Sequence, residues 1–213
     1  MGMMVRLPIV LMLACALAGP ALAAGTTVDR TPVGRVIRLE GDGSIVRDRI
    51  RSSLLVGSAV FTDDVIESGT AARLTVQFGD GSTLSAGPES RVVVAAYKVD
   101  ATGARSSAIF SLLAGIVRAV VQKAGLGEFA VQTDTTVASA RSTEWTAEVT
   151  PAGTAVLGLE GVVEVRSRAT GASVDLTRLQ GSDVAPGRDP TPPVTWGSAR
   201  VERTLRLIGP AFR

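Results

Sequence analysis

Between Thr31 and Pro186 apolar residues recur at alternate positions in short runs, punctuated by Gly, Asp, Ser and Pro. No run there sustains the i, i+3, i+4, i+7 pattern of an amphipathic helix. The clearest stretch is Asp64–Ser82. Leu74, Val76 and Phe78 fall on one face of a strand, Arg73, Thr75 and Gln77 on the other, and Asp80-Gly81 then supplies a strong hairpin signal. The same pattern predicts strands over Gly34–Leu39, Ser44–Arg49, Ala59–Phe61, Val65–Glu67, Ala72–Phe78, Thr83–Ala86, Arg91–Tyr97 and Ser107–Leu113. It continues with Ile116–Val121, Glu128–Thr133, Thr136–Ala140, Glu144–Val149, Thr154–Leu159, Val162–Arg166, Ser173–Leu176 and Asp183–Ala185.

Two runs break the alternation. Val92-Val93-Val94-Ala95-Ala96 reads as a strand buried on both faces. Leu112–Val121 holds Gly115 between β-branched Ile116, Val117, Val120 and Val121, which favours two strands about a corner over one short helix. The expected fold is all-β: an irregular solenoid-like stack of short strands, with a β-sandwich or jelly roll as the alternative. Recurrent Gly corners and small residues such as Ala71-Ala72, Ala95-Ala96, Ala138 and Ala140 at inward positions support the stack. The residues expected inside are Val76, Phe78, Val92, Val94, Val117, Phe129, Val131, Val156 and Val163.

The ends differ from the middle. Residues 1–23 read as a secretory signal peptide: Arg6 is the positive n-region, Leu7–Leu17 the apolar h-region, and Ala21-Leu22-Ala23 the cleavage site. Gly19-Pro20 interrupts the run too early for a membrane span of about 20 residues. The expected location is periplasmic or secreted, with cleavage after Ala23; acylation at Cys15 is the weaker alternative. The β domain is expected over 31–186, followed by a Pro-rich linker and tail over 187–213. In that tail Val201, Leu205 and Ile208 sit at helical spacing and Gly209-Pro210 ends the pattern. Such a tether and apolar stripe suit covering an end of an open β stack or meeting a partner.

Composition narrows the chemistry. The 213 residues contain no His and a single Cys, Cys15, which cleavage would remove. A Ser-His-Asp triad, thiol nucleophiles and zinc sites built on Cys or His are therefore excluded from the mature chain. Lys and Arg (22) nearly balance Asp and Glu (20) and are interspersed, so no basic stripe tracks a nucleic acid.

Asp80-Gly81-Ser82 reads as a turn, since a lone Asp-Gly-Ser lacks the carboxylates that calcium requires, and Asp63-Asp64 has no third partner. Glu144 with Glu148, or Asp63 with Asp64, would form a glycosidase pair only across a shared cleft. Serines at Gly43-Ser44 and Gly57-Ser58 lack the G-x-S-x-G elbow. No residue is assigned a catalytic, cofactor-binding or metal role.

Several ordered segments together resemble the FecR domain, the extracytoplasmic module of bacterial iron-siderophore signalling regulators. They are Val33-Gly34-Arg35-Val36, Leu55-Val56-Gly57, Asp64–Ser82, Leu113-Ala114-Gly115-Ile116-Val117-Arg118, Phe129-Ala130-Val131-Gln132-Thr133 and Leu159-Glu160-Gly161-Val162-Val163-Glu164-Val165. The family's Arg-Gly-Thr-Glu-Phe is similar to Arg141-Ser142-Thr143-Glu144-Trp145, where Ser142 implies a backbone that either does not demand positive φ or tolerates strain, and Trp145 a larger pocket.

Sigma-regulating FecR proteins resemble the chain only in their periplasmic part, which follows an anti-sigma segment and a membrane helix. The resemblance therefore implies a non-enzymatic, stand-alone exported module for binding, sensing or scaffolding, with an envelope protein or glycan as partner. The alternative is a carbohydrate-binding or carbohydrate-active β-sandwich using Glu144, Glu148 or Glu160, with Trp145, Trp196 or Tyr97 as the stacking platform.

Overall fold

The computed structural model describes residues 1, 31–102, 104–123 and 127–209. The proposed signal peptide, Cys15 and Ala23 lie outside these residues. The strands are β1 (Gly34–Glu40), β2 (Gly43–Arg47), β3 (Ile50–Ser53), β4 (Ala59–Val60), β5 (Val65–Ser68), β6 (Arg73–Phe78), β7 (Thr83–Ala86), β8 (Arg91–Val99) and β9 (Arg105–Ala114). They continue as β10 (Ile116–Val120), β11 (Glu128–Gln132), β12 (Thr136–Ala140), β13 (Glu144–Thr150), β14 (Gly153–Glu160), β15 (Val163–Ser167), β16 (Ser173–Leu176), β17 (Gln180–Val184) and β18 (Val194–Thr195), before a single helix, α1 (Ser198–Ile208).

The all-β fold with a short C-terminal helix matches the sequence pattern. Two nine-stranded sheets face one another: sheet I in the order β18-β17-β14-β13-β10-β7-β6-β1-β4, sheet II in the order β16-β15-β12-β11-β9-β8-β5-β2-β3. The chain crosses from one sheet to the other every one or two strands. Apart from reversals at β1/β4 and β2/β3, it moves steadily along both. The layering is that of a sandwich, and the steady advance is the progression of a stack. Pairing is antiparallel between neighbours except for β9 with β11, which run parallel.

Alternation explains the core. One face of each sheet contributes to a single apolar cluster that contains all nine residues expected inside, from Val76 and Phe78 to Val163. A chain of rings crosses it: Phe78 meets Phe110 at 4.8 Å, Phe110 meets Phe129 at 4.9 Å, and Phe129 meets Trp145 edge-on at 5.9 Å. Trp145, at the position where the resembled motif has Phe, is fully buried, and Ser142 does not take positive φ. Gly115 turns the β9–β10 corner at φ +80, where a Cβ would lie 2.3 Å from Ser90 Oγ. That hydroxyl instead accepts from Ile116 N–H at 3.0 Å.

Three local expectations differ. The run Ser44–Arg49 ends at Arg47, because Asp48 and Arg49 both take positive φ and turn the chain into β3. Val93 is half-buried on the outer face of sheet II, so only Val92 and Val94 of the valine run are in the core. The tail covers a sheet face and not a stack end: β18 pairs with β17, and α1 lies across the outside of sheet I. No helix among the described residues is long and apolar enough to cross a membrane.

Candidate functional site

The two outer faces differ in what lies over them and in where their apolar residues fall. On sheet I one register row runs Arg38, Thr75, Ser85, Arg118, Thr146, Leu157 and Gly181 through adjacent strands. Most of it is polar, yet Thr75, Ser85 and Thr146 are buried. Thr75 Oγ1 and Ser85 Oγ share a hydrogen bond of 2.9 Å, and Arg118 donates from Nε to Glu144 Oε1 at 2.7 Å.

The corresponding row of sheet II crosses all nine strands: Arg51, Val46, Val65, Val93, Ser111, Gln132, Val137, Arg166 and Ser173. At the usual strand spacing it extends about 38 Å. Four valines lie along it, each half-buried by its neighbours in the sheet and with no described element packed above. Ile109, Ala130 and Ser139 form the adjacent row. Partly exposed apolar side chains gathered in one row, here with Ser111 and Gln132 between Val93 and Val137, mark an interaction site more often than scattered residues do.

Charges frame the stripe. Beside its Arg51 end, Glu67 pairs with Arg51 and Arg91 and accepts from Ser44 Oγ at 3.2 Å. Burial raises the Glu67 carboxyl, but the bonds from Arg51 and Ser44 and the charges of Arg51 and Arg91 prevail and hold it below the ordinary carboxylate value. A cleft of about 520 Å³ lies there between Ser44, Glu67, Glu89 and Arg91. Near the far end, Glu128, Arg141, Glu164 and Asp175 border a second cleft of about 530 Å³.

The carboxylates weighed for catalysis are bound up in structure. Glu144 is buried against Arg118, and Glu148 receives both nitrogens of Arg203 at 3.0 and 2.9 Å. Asp64 is fully buried and accepts from Arg47 Nε and Nη2 at 2.7 Å each and from Phe61 N–H at 2.7 Å. Its charge in turn raises the Arg47 guanidinium, mainly through that side-chain hydrogen bond.

Asp80 forms the expected turn, accepting from Ser82 N–H at 3.0 Å. It also meets Arg105 Nε at 2.5 Å, with both side chains almost wholly buried. That pair could not be read from the sequence, because Arg105 lies in another sheet. Glu160 sits directly opposite Glu144 in register, and both carboxylates, with Lys123 and Ser142, line one cleft of about 240 Å³. Among the described residues no group of three or more acidic side chains is placed to hold a metal ion.

Among the described residues no Trp or Tyr ring stands free as an outward platform. Trp145 is in the core, Trp196 is buried over sheet I, and Tyr97 stacks on Phe78 with centroids 5.5 Å apart.

Residues 64–164 match the family model described as "FecR protein". Arg118 and Glu144, from two motifs of the resemblance, meet within the matched stretch. No curated protein matches the chain. Two solved structures titled as those of a "putative anti-sigma factor" from Parabacteroides distasonis share the fold at TM-score 0.54, with 13% and 14% identity. The similarity covers 66% of this chain and 64% and 63% of those chains, so the chain spans under two thirds of either.

Proposed function

We propose that the chain is a non-enzymatic FecR-type sensing or scaffolding module of the bacterial cell envelope, and that a protein partner docks on the outer face of sheet II. One observation carries this reading: the chain's own helix covers the outer face of sheet I, while no described element lies over the valine row of the other sheet. Four valines without a described element above them, beside a hydroxyl-rich face that has one, fit a surface kept for a partner. The FecR match and the anti-sigma titles of the structural neighbours agree with a regulatory role exercised through proteins.

A glycan is the weaker partner. Sugar recognition draws on aromatic faces, and Trp145, Trp196 and Tyr97 all point their rings into packing contacts. Export rests on the leader, and N-terminal sequencing of protein recovered from the envelope should begin at Ala24; a retained Arg6 would defeat cleavage.

The docking reading is tested by Val93→Lys, which places a charge at mid-row while leaving the core residues Val92 and Val94 in place. Partner recovery from periplasmic extract should fall well below wild type with an unchanged urea midpoint. Undiminished recovery would defeat it.

A further inference from the structure

The outermost described strands are β4 and β18 in sheet I and β3 and β16 in sheet II. A sheet edge presents unpaired backbone groups, and three of these four edges are blunted. β4 and β18 are two residues long, and β18 follows Pro192-Pro193. In β16, Asp175 stands opposite Glu164 of β15, so an approaching strand meets an acidic pair. β3 has neither a Pro nor an acidic side chain, and all four of its residues are exposed.

The register of the β2–β3 hairpin fixes which backbone groups are open. Leu54 N–H donates to the carbonyl of Gly43 at 2.9 Å, so Ser44 with Ser53, and Val46 with Arg51, are the pairs that exchange no hydrogen bonds. The N–H and C=O groups of Arg51 and Ser53 therefore point away from β2, along the edge. Apart from Met1, the most exposed large apolar side chains among the described residues are Ile50, Leu55 and Val56. They stand at the two ends of this strand: Ile50 begins it, and Leu55-Val56 follow just past its end.

We propose that β3 is a self-association edge whose occupant is β3 of a second copy, paired antiparallel about a two-fold axis at Ser52. The edge is its own complement. Setting Arg51 opposite Ser53 of the second copy lets all four outward-facing residues exchange both of their hydrogen bonds. A slip by two residues loses this: one direction sets Arg51 against Arg51, like charge directly opposite like charge, and the other sets Arg51 beyond the end of the opposing strand. Charge and hydrogen bonding thus select the same register. That register also joins the apolar ends, since Ile50 of each copy falls opposite Leu54 and beside Leu55 and Val56 of the other. A strand of another protein would have to reproduce this pattern; a second copy already carries it. Two nine-stranded sheets then become one, with the Arg51 ends of both valine rows at its centre. The inference goes beyond docking on the valine row and uses none of its valines.

The test uses the full chain. Sedimentation equilibrium of wild type should show a monomer–dimer equilibrium with the dimer populated below about 1 mM. Arg51→Pro removes an outward N–H that β2 does not use, so the urea midpoint should be nearly unchanged while dimerisation weakens at least about tenfold. In a Cys15→Ser background, which leaves the introduced thiol alone, Ser52→Cys should form an intermolecular disulfide under mild oxidation, because the axis sets the two positions directly opposite. Ser173→Cys, on the far edge of the same sheet, should not. Val93→Lys should leave the dimer unchanged, which separates this pairing from association through the valine row.

A monomer at every concentration up to about 1 mM would overturn the proposal. So would a dimer that Arg51→Pro leaves intact, a dimer lost in Val93→Lys, or equal disulfide yields from Ser52→Cys and Ser173→Cys. Should Arg51→Pro not fold, Ser52→Glu replaces it: like charges then face each other across the axis, and the same loss of dimer is expected.

Discussion

Arg118 and Glu144, which the sequence presents in two separate motifs, form one ion pair on neighbouring strands β10 and β13, largely buried beneath α1. Removing one partner of such a pair strands the other charge away from water. Glu144→Gln is therefore expected to destabilise the fold by about 3–5 kcal/mol in urea denaturation. A loss below about 1 kcal/mol would place Glu144 among surface ion pairs. The same variant also addresses chemistry: if a hydrolytic activity is found and Glu144→Gln abolishes it without unfolding, the non-enzymatic reading fails.

The two faces of β6 give a second prediction. Phe78 lies in the ring chain of the core, and Phe78→Ala should cost about 3–5 kcal/mol. Thr75 is on the other face but is buried and bonded to Ser85, so Thr75→Ala should cost about 1–2 kcal/mol, more than an exposed strand threonine would. Chemical denaturation of both variants checks the pair, and equal costs would contradict the assignment of faces.

Tyr97, the single tyrosine of the chain, reports on the Asp80–Arg105 end of the core. Its hydroxyl accepts from Asp80 N–H at 3.1 Å. Burial, with a further contribution from the Asp80 charge, raises the phenol to about 12. Because the folded value lies above the unfolded value near 10, the associated stability is present below pH 10 and is lost as pH rises towards 12. Absorbance titration of the phenolate should show one midpoint about two units above that of the urea-unfolded chain. Coincident midpoints would mean that Tyr97 is solvated.

Much of the fold was legible in the sequence because a half-buried strand writes its two faces into alternate residues. Val76, Phe78, Phe129 and Val163 could be oriented one strand at a time. The turn into β3 was missed because Asp48 and Arg49 take positive φ without the glycine that usually signals it. Val93 departs from the pattern's expectation because a run of three valines does not say which of its faces will be covered.

The candidate site was less legible for a related reason. Val46, Val65, Val93 and Val137 become one row only when strand register is fixed across sheet II, and no local pattern encodes that. The seat of α1 was equally hidden, since Arg73 and Arg118 cap carbonyls far along the chain and Glu148 meets Arg203. Its helical spacing and end at Gly209 were readable; its place was not.

The central claim, that a protein partner docks on the valine row of sheet II, is met most directly by site-specific photo-crosslinking in the living envelope. A benzophenone side chain is placed singly at Val93, Val137 or, as a control on the opposite sheet, Gln77. The account predicts one discrete adduct with a second protein from Val93 and Val137 and none from Gln77. Adducts of equal yield from all three positions, or none from the row, would contradict it.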